Sequence, residues 1–204
     1  MDKNNSNYEL TQDRYPHIYT ASGRDQCCTT HFHRKIELLY NMEGVKKVTV
    51  NNRDYVLKPH NLCIVDSYSL HYYEPTEGKQ SILTLTTACS EHYFQYRRNK
   101  TLRGNVVADQ TYCRENLLPY FERLLGYEKL DAFSVQANVD MLLSGICAAV
   151  GLQESSESLE PESMDSILAY IEQNYHTDLT LTTLADHFGY SKYYFSRIFN
   201  NMFH

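Results

Sequence analysis

The sequence has no tryptophan, no Cys-x-x-Cys pair and no excess of positive charge among its 204 residues. A formal net charge of −6 gives the chain as a whole no electrostatic pull toward nucleic acid or an anionic membrane surface. The six cysteines (Cys27, Cys28, Cys63, Cys89, Cys113, Cys147) are scattered, and the polar start MDKNNSNYEL carries no signal-peptide run. They therefore read as free thiols of a reducing cytoplasm, not as a disulfide framework. No later run is predicted to cross a membrane. What is plentiful is tyrosine, at 18 residues. That supply suits either a binding surface or a strand-rich scaffold.

The length accommodates one good core and a smaller companion unit. From about residue 17 to 96 the pattern predicts short strands. Val45, Val48 and Val50 supply apolar positions before Asn51-Asn52, and YVL follows, which reads as a hairpin. NLCIVD and SILTLTT are further strand-like runs, so a small barrel or sandwich is expected. Two helices should follow. Leu117, Leu118, Phe121, Leu124 and Leu125 share one helical face, with Pro119 placed in the first turn. Val135, Val139, Leu142, Leu143, Ile146 and Val150 share another. This antiparallel pair is expected to cover the barrel and to offer a homodimer seam. The fold class is thus α+β. Residues 1–151 form the first domain, 152–163 a Ser/Glu-rich linker, and 164–204 a small all-α segment.

That last segment is patterned throughout. Met164, Ile167, Leu168, Ile171 and Tyr175 make one stripe, and Thr180 is the N-cap expected for a second helix. After the turn at GYS, Ser191 caps a third helix, KYYFSRIFNN. Phe195, Ile198, Phe199 and Met202 fall on its inner face. Tyr193, Ser196, Arg197 and Asn200 fall on the outer one. Two capped helices around a glycine turn form a helix-turn-helix, and the outer set suits base edges in a major groove. The candidate DNA-binding residues are accordingly Ser191, Lys192, Tyr193, Ser196, Arg197 and Asn200. The segment holds Lys192 and Arg197 against Asp165, Glu172, Asp178 and Asp186, a net −2 before histidine, so its own phosphate affinity should be poor.

The stretch LTLTTLADHFGYSKYYFSRIFNNMF resembles the first helix-turn-helix of AraC/XylS-type transcription regulators, with Ala185, Ser191, Phe195, Arg197 and Phe199 at matching positions. The resemblance implies that Tyr193, Ser196 and Arg197 face the bases. It also implies a cupin-like effector domain with a helical dimerisation pair upstream. In that family the DNA-binding domain has two such units joined by a long helix. Residues 164–204, ending at His204, correspond to the first, so operator binding is expected through a complete domain of which this is a part.

HFHRKIELLYNMEG carries the remaining signal. His31, His33 and Glu37 are all odd-numbered, so a strand would present them on one face. The stretch resembles the first cupin motif, with Gly44 closing it. KPHNLCIVDSYSLH resembles the second, supplying His71, retaining Pro59 and placing His60 where glycine is usual. His31, His33, Glu37 and His71 are the expected effector pocket, binding a small molecule with no cofactor and no catalysis. The alternative is a divalent metal on the same four residues, as in a cupin-type dioxygenase or isomerase. A stand-alone enzyme of that kind has no use for a helix-turn-helix. The combined expectation is a cytoplasmic, ligand-responsive, DNA-binding regulator.

Overall fold

The computed structural model describes residues 7–8, 18–97, 100–154 and 164–203. The chain separates into two compact units, one over Asn5–Ser155 and one containing Ser156–His204.

The first unit is built from two five-stranded sheets. Its strands are β1 (Asn7–Tyr8), β2 (Ile18–Arg24), β3 (Cys28–Phe32), β4 (Ile36–Asn41), β5 (Lys46–Val50), β6 (Arg53–Leu57), β7 (Leu62–Val65), β8 (His71–Tyr73), β9 (Lys79–Leu85), β10 (Lys100–Leu102), β11 (Val106–Val107) and β12 (Leu152–Glu154). One sheet runs β1-β3-β8-β5-β6 and the other β11-β7-β4-β9-β2, while β10 and β12 pair alone. The β5–β6 hairpin turns at Asn51 and Asn52, with φ of 47° and 61°. Asparagine tolerates that left-handed backbone, which matches the twist of the strands it joins.

Strand β4 is buried at every position because it has a core on each side. Ile36, Leu38 and Tyr40 join the cluster beneath the helices, with Leu62, Leu83, Phe121 and Leu142. Leu39 faces the opposite way, into a smaller cluster with Val48, Val50, Leu57, Val65 and Tyr73 between the sheets. By the two-residue period, Glu37 also points between the sheets. Val45 is half exposed outside the strand, and Lys46, Val48 and Val50 are the inward set.

The helices differ from expectation in detail. Glu91–Tyr96, inside the stretch read as strands, forms helix α1. The first covering helix is led into by α2 (Gln110–Tyr112) and a π-helical turn (Cys113–Leu117), and Pro119 stands in the first turn of α3 (Leu118–Leu125), as the sequence predicts. Proline has no N–H to continue an α-helical ladder, and the wider turn just before it absorbs the missing bond. Helix α4 (Ala132–Val150) runs back across it, with the Tyr112 hydroxyl donating to the Gly145 carbonyl at 3.0 Å. Helix α4 is long and apolar enough to cross a membrane, contrary to the sequence reading, yet Val139, Leu142, Leu143 and Ile146 are buried in this unit's own core. Leu152–Glu154 open the stretch read as linker and pair with β10, while 155–163 lie outside the described residues.

The second unit is three helices, α5 (Met164–Asn174), α6 (Leu181–His187) and α7 (Lys192–Phe203). Thr180 caps α6 and forms a reciprocal pair with Thr183. Gly189, at φ 71°, makes the turn, and the Ser191 Oγ accepts from the Tyr194 amide at 3.2 Å to cap α7. Ile167, Ala185, Phe188 and Phe195 are the buried centre, with Phe199 and Ile171 packed against it. Tyr175 lies past the end of α5 and is exposed, so it is no part of the α5 stripe.

Candidate effector site and DNA-reading helix

The four expected pocket residues converge. His31, His33, Glu37 and His71 are all buried, each offers one metal-binding type of donor atom, and those atoms lie within 4.8 Å of one another. The two-residue period is not what gathers them. His33 sits in the loop after β3, so His31 and Glu37 belong to different strands in different sheets. His31 is paired directly with His71 across β3 and β8, with ring centroids 4.2 Å apart.

Hydrogen bonds fix the geometry. Each imidazole turns Nδ1 to a backbone carbonyl, His31 to Thr29 at 2.8 Å, His33 to Lys35 at 3.0 Å and His71 to Ser69 at 2.8 Å. His33 Nε2 lies 3.1 Å from Glu37 Oε2, and the Tyr73 hydroxyl donates to Glu37 Oε1 at 2.5 Å. Burial works to raise the Glu37 carboxyl. The bond with His33, the neighbouring imidazoles and the Tyr73 hydroxyl outweigh it and hold the group at about 2, so it is an anion. Burial draws His71 down to about 3, against the pull of Glu37, so its ring is neutral.

Two neighbours escaped sequence reasoning. Tyr73 shares a face with His71 by strand period, so a signal for it existed. Cys28 is brought alongside by its pairing with Tyr73 and hydrogen bonds with His31, which no local pattern announces. All six cysteines are free. His60, at φ 63°, occupies the left-handed position where the motif favours glycine, and its Nδ1 is 3.0 Å from the Tyr40 hydroxyl.

On α7 the faces sort largely as the spacing predicts. Tyr193 is 81% exposed, Lys192 and Arg197 are exposed, Ser196 is half-buried, and Phe195 is buried. The Arg197 guanidinium lies 5.2 Å from the Tyr194 ring centroid, a cation–π contact that steadies it. Asn200 lies within α7, but its side chain, like those of Ile198 and Met202, falls outside the described residues.

The first unit has two sheets with a polar cluster between them and a helical pair packed on its core, and the second is a capped helix-turn-helix. Comparison with known proteins gives the family. Residues 16–171 match the AraC-like ligand binding domain, and residues 171–203 match the bacterial regulatory helix-turn-helix proteins of the AraC family. The chain belongs to the AraC family. No curated protein matches its sequence closely. Among solved structures it is similar to ToxT from Vibrio cholerae, at 8% identity and a TM-score of 0.62, covering 91% of this chain and 76% of that one. ToxT bound to (E)-4-(8-methylnaphthalen-1-yl)but-3-enoic acid gives 9% identity, a TM-score of 0.64 and the same coverage, 91% and 76%. The AraC-like transcriptional activator CuxR gives 14% identity and a TM-score of 0.50, and this chain spans 78% of itself and 58% of CuxR. At such identities the likeness is one of fold.

Proposed function

We propose that the chain is the sensing and first DNA-reading part of a cytoplasmic transcription regulator. A small ligand binds between the sheets at His31, His33, Glu37 and His71, and α7 reads base edges in the major groove. The observation that carries the reading is the pairing of two features in one chain. One is a buried cluster of convergent polar groups; the other is a capped helix whose Tyr193 and Arg197 point to solvent. ToxT has been solved with an unsaturated fatty acid and with a naphthalenyl butenoic acid, which supports the same kind of domain as an effector site. Ser191 and Lys192 at the start of α7 are suited to phosphate, as the amides of a helix N-terminus are.

The enzyme reading is the weaker one. A stand-alone enzyme has no use for the capped helix-turn-helix of α6 and α7 that the same chain carries. Two copies are proposed to meet through the outer face of the helical pair, where Tyr112, Tyr120, Met141 and Ala148 line a groove of about 450 Å³.

Thermal unfolding against a panel of sugars, organic acids, aromatic acids and divalent ions tests the sensing role. A ligand at a hundred times its Kd adds about 2.7 kcal/mol to folded-state stability. A rise of several degrees is therefore expected from at least one member. Silence from every class, with well-folded protein, would remove the sensing role.

A further inference from the structure

Residues 66–70, the turn between β7 and β8, hold two parts of the polar cluster at once. The Tyr68 amide donates to the His33 carbonyl at 2.7 Å, and the Ser67 hydroxyl donates to the Arg34 carbonyl at 2.5 Å. The Ser69 carbonyl accepts from His71 Nδ1 at 2.8 Å, while the Ser69 amide donates to the Asp66 carbonyl at 3.0 Å. The backbone that carries one imidazole and the ring of another are thus fixed by the same turn.

The other end of that turn holds a helix. The Asp66 carboxylate accepts from the Arg97 guanidinium at the C-terminus of α1, and from the Tyr93 hydroxyl at 3.4 Å. The Arg97 and Asp66 side chains are 15% and 18% exposed, and the guanidinium lies 4.8 Å from the Tyr93 ring centroid. Helix α1 is fastened in turn to α4. His92 meets Asp140 at 2.8 Å, Gln136 Nε2 donates to the Cys89 carbonyl at 3.2 Å, and Tyr93 shares a core with Leu143 and Cys147. An unbroken set of contacts therefore runs from His33 and His71 through the turn to α1 and α4.

Two features of the turn exceed what a plain connection needs. Tyr68 is buried with a φ of 58°, a left-handed backbone that a bulky side chain keeps only where its surroundings impose it. A largely buried ion pair adds little stability over an apolar pair of the same shape. Separating its partners, however, leaves a charge buried alone, so Asp66 and Arg97 move together. We propose that residues 66–70 are a strap that couples the polar cluster to α1, so that a shift of His33 or His71 on ligand binding is passed through Asp66 and Arg97 to α1 and on to α4. This rests on the effector-site reading above and adds its regulation. Asp66, Tyr68 and Arg97 are positioning residues.

The test is hydrogen exchange by mass spectrometry on the whole chain, with Glu37→Gln as the disturbance at the cluster. A mere loss of stability raises exchange throughout the first unit alike. The readout is therefore exchange in α1 relative to α3, which makes none of the strap's contacts. With the strap intact, Glu37→Gln should raise that ratio about five-fold or more. In the background Asp66→Asn, Arg97→Met, which removes both charges together, the rise should fall to about two-fold or less. If that background does not fold, Tyr68→Gly, at ease at the same φ, loosens the strap instead and should have the same effect. A ratio that ignores Glu37→Gln, or that responds equally with the strap cut, overturns the proposal. No ligand enters this measurement. A thermal panel without a hit would therefore end the sensing role and leave the coupling measured, whereas an unresponsive α1 would end the coupling and leave the sensing role standing.

Discussion

Gly44 shows how tightly single residues are held around the barrel. Its φ is +75°, and an added Cβ would come within 2.4 Å of the Glu77 carbonyl oxygen. Backbone strain and the clash act together, so Gly44→Ala should lower stability by about 1–3 kcal/mol in urea unfolding. Gly104→Ala is the matched control, because nothing lies within 4 Å of its added Cβ and no left-handed φ is involved. It should stay within about 0.5 kcal/mol of the unmodified chain. Lys46 is held as tightly from a different cause. It is fully buried, its ammonium donates to the carbonyls of Gln26 and Glu74, and burial lowers its pKa. A hydrophobic pattern cannot foresee a buried amine whose protons are met by two loop carbonyls.

Among the elements, the helical pair carries the most consequences. Leu124 and Leu143, whose apolar stripes promised a dimer seam, are both buried in the domain's own core. Replacing either with glutamate would bury a charge and unfold the unit, so such variants report on folding alone. Met141 is 51% exposed and lines the outer groove. Met141→Glu should leave the melting temperature nearly unchanged and turn a dimer into a monomer in sedimentation. A monomer for the unmodified chain at tens of micromolar would contradict the seam. Helix α1 is tied to α4 by His92 and Asp140 at 2.8 Å. The Asp140 carboxylate raises the His92 pKa above its ordinary 6.5. The folded state thus holds the proton more tightly than the unfolded chain. The contribution is complete below about pH 6.5 and is lost as pH rises through the folded value. The melting-temperature gap between the unmodified chain and His92→Gln should therefore narrow from pH 5.5 to 8.5, and a constant gap would contradict the ion pair.

At the scale of the whole molecule, local rules and topology divided the work. Capping and face were legible in α6 and α7 because Thr180, Ser191, Phe195 and Arg197 act within a few residues of themselves. The hairpin at Asn51-Asn52 was legible for the same reason. The four residues between the sheets were found through motif spacing, but the geometry behind them was misread. No sequence rule shows that the strand breaks at His33–Lys35, or that β8 returns His71 opposite His31 after forty positions. The first domain needs long-range pairing to bring its four polar residues together. In the second, caps and helix faces are set within each helix and its neighbouring turn.

The outer face of α7 is open to a direct test through Arg197. On a duplex selected for binding by the regulator, each base pair is substituted in turn and affinity is measured by fluorescence anisotropy at fixed salt, with and without Arg197→Ala. At one position a substitution is expected to cost the unmodified protein about 1–3 kcal/mol and to cost Arg197→Ala almost nothing, because the contact is already absent. Identical discrimination by both proteins at every position would show that the outer face of α7 does not read the bases.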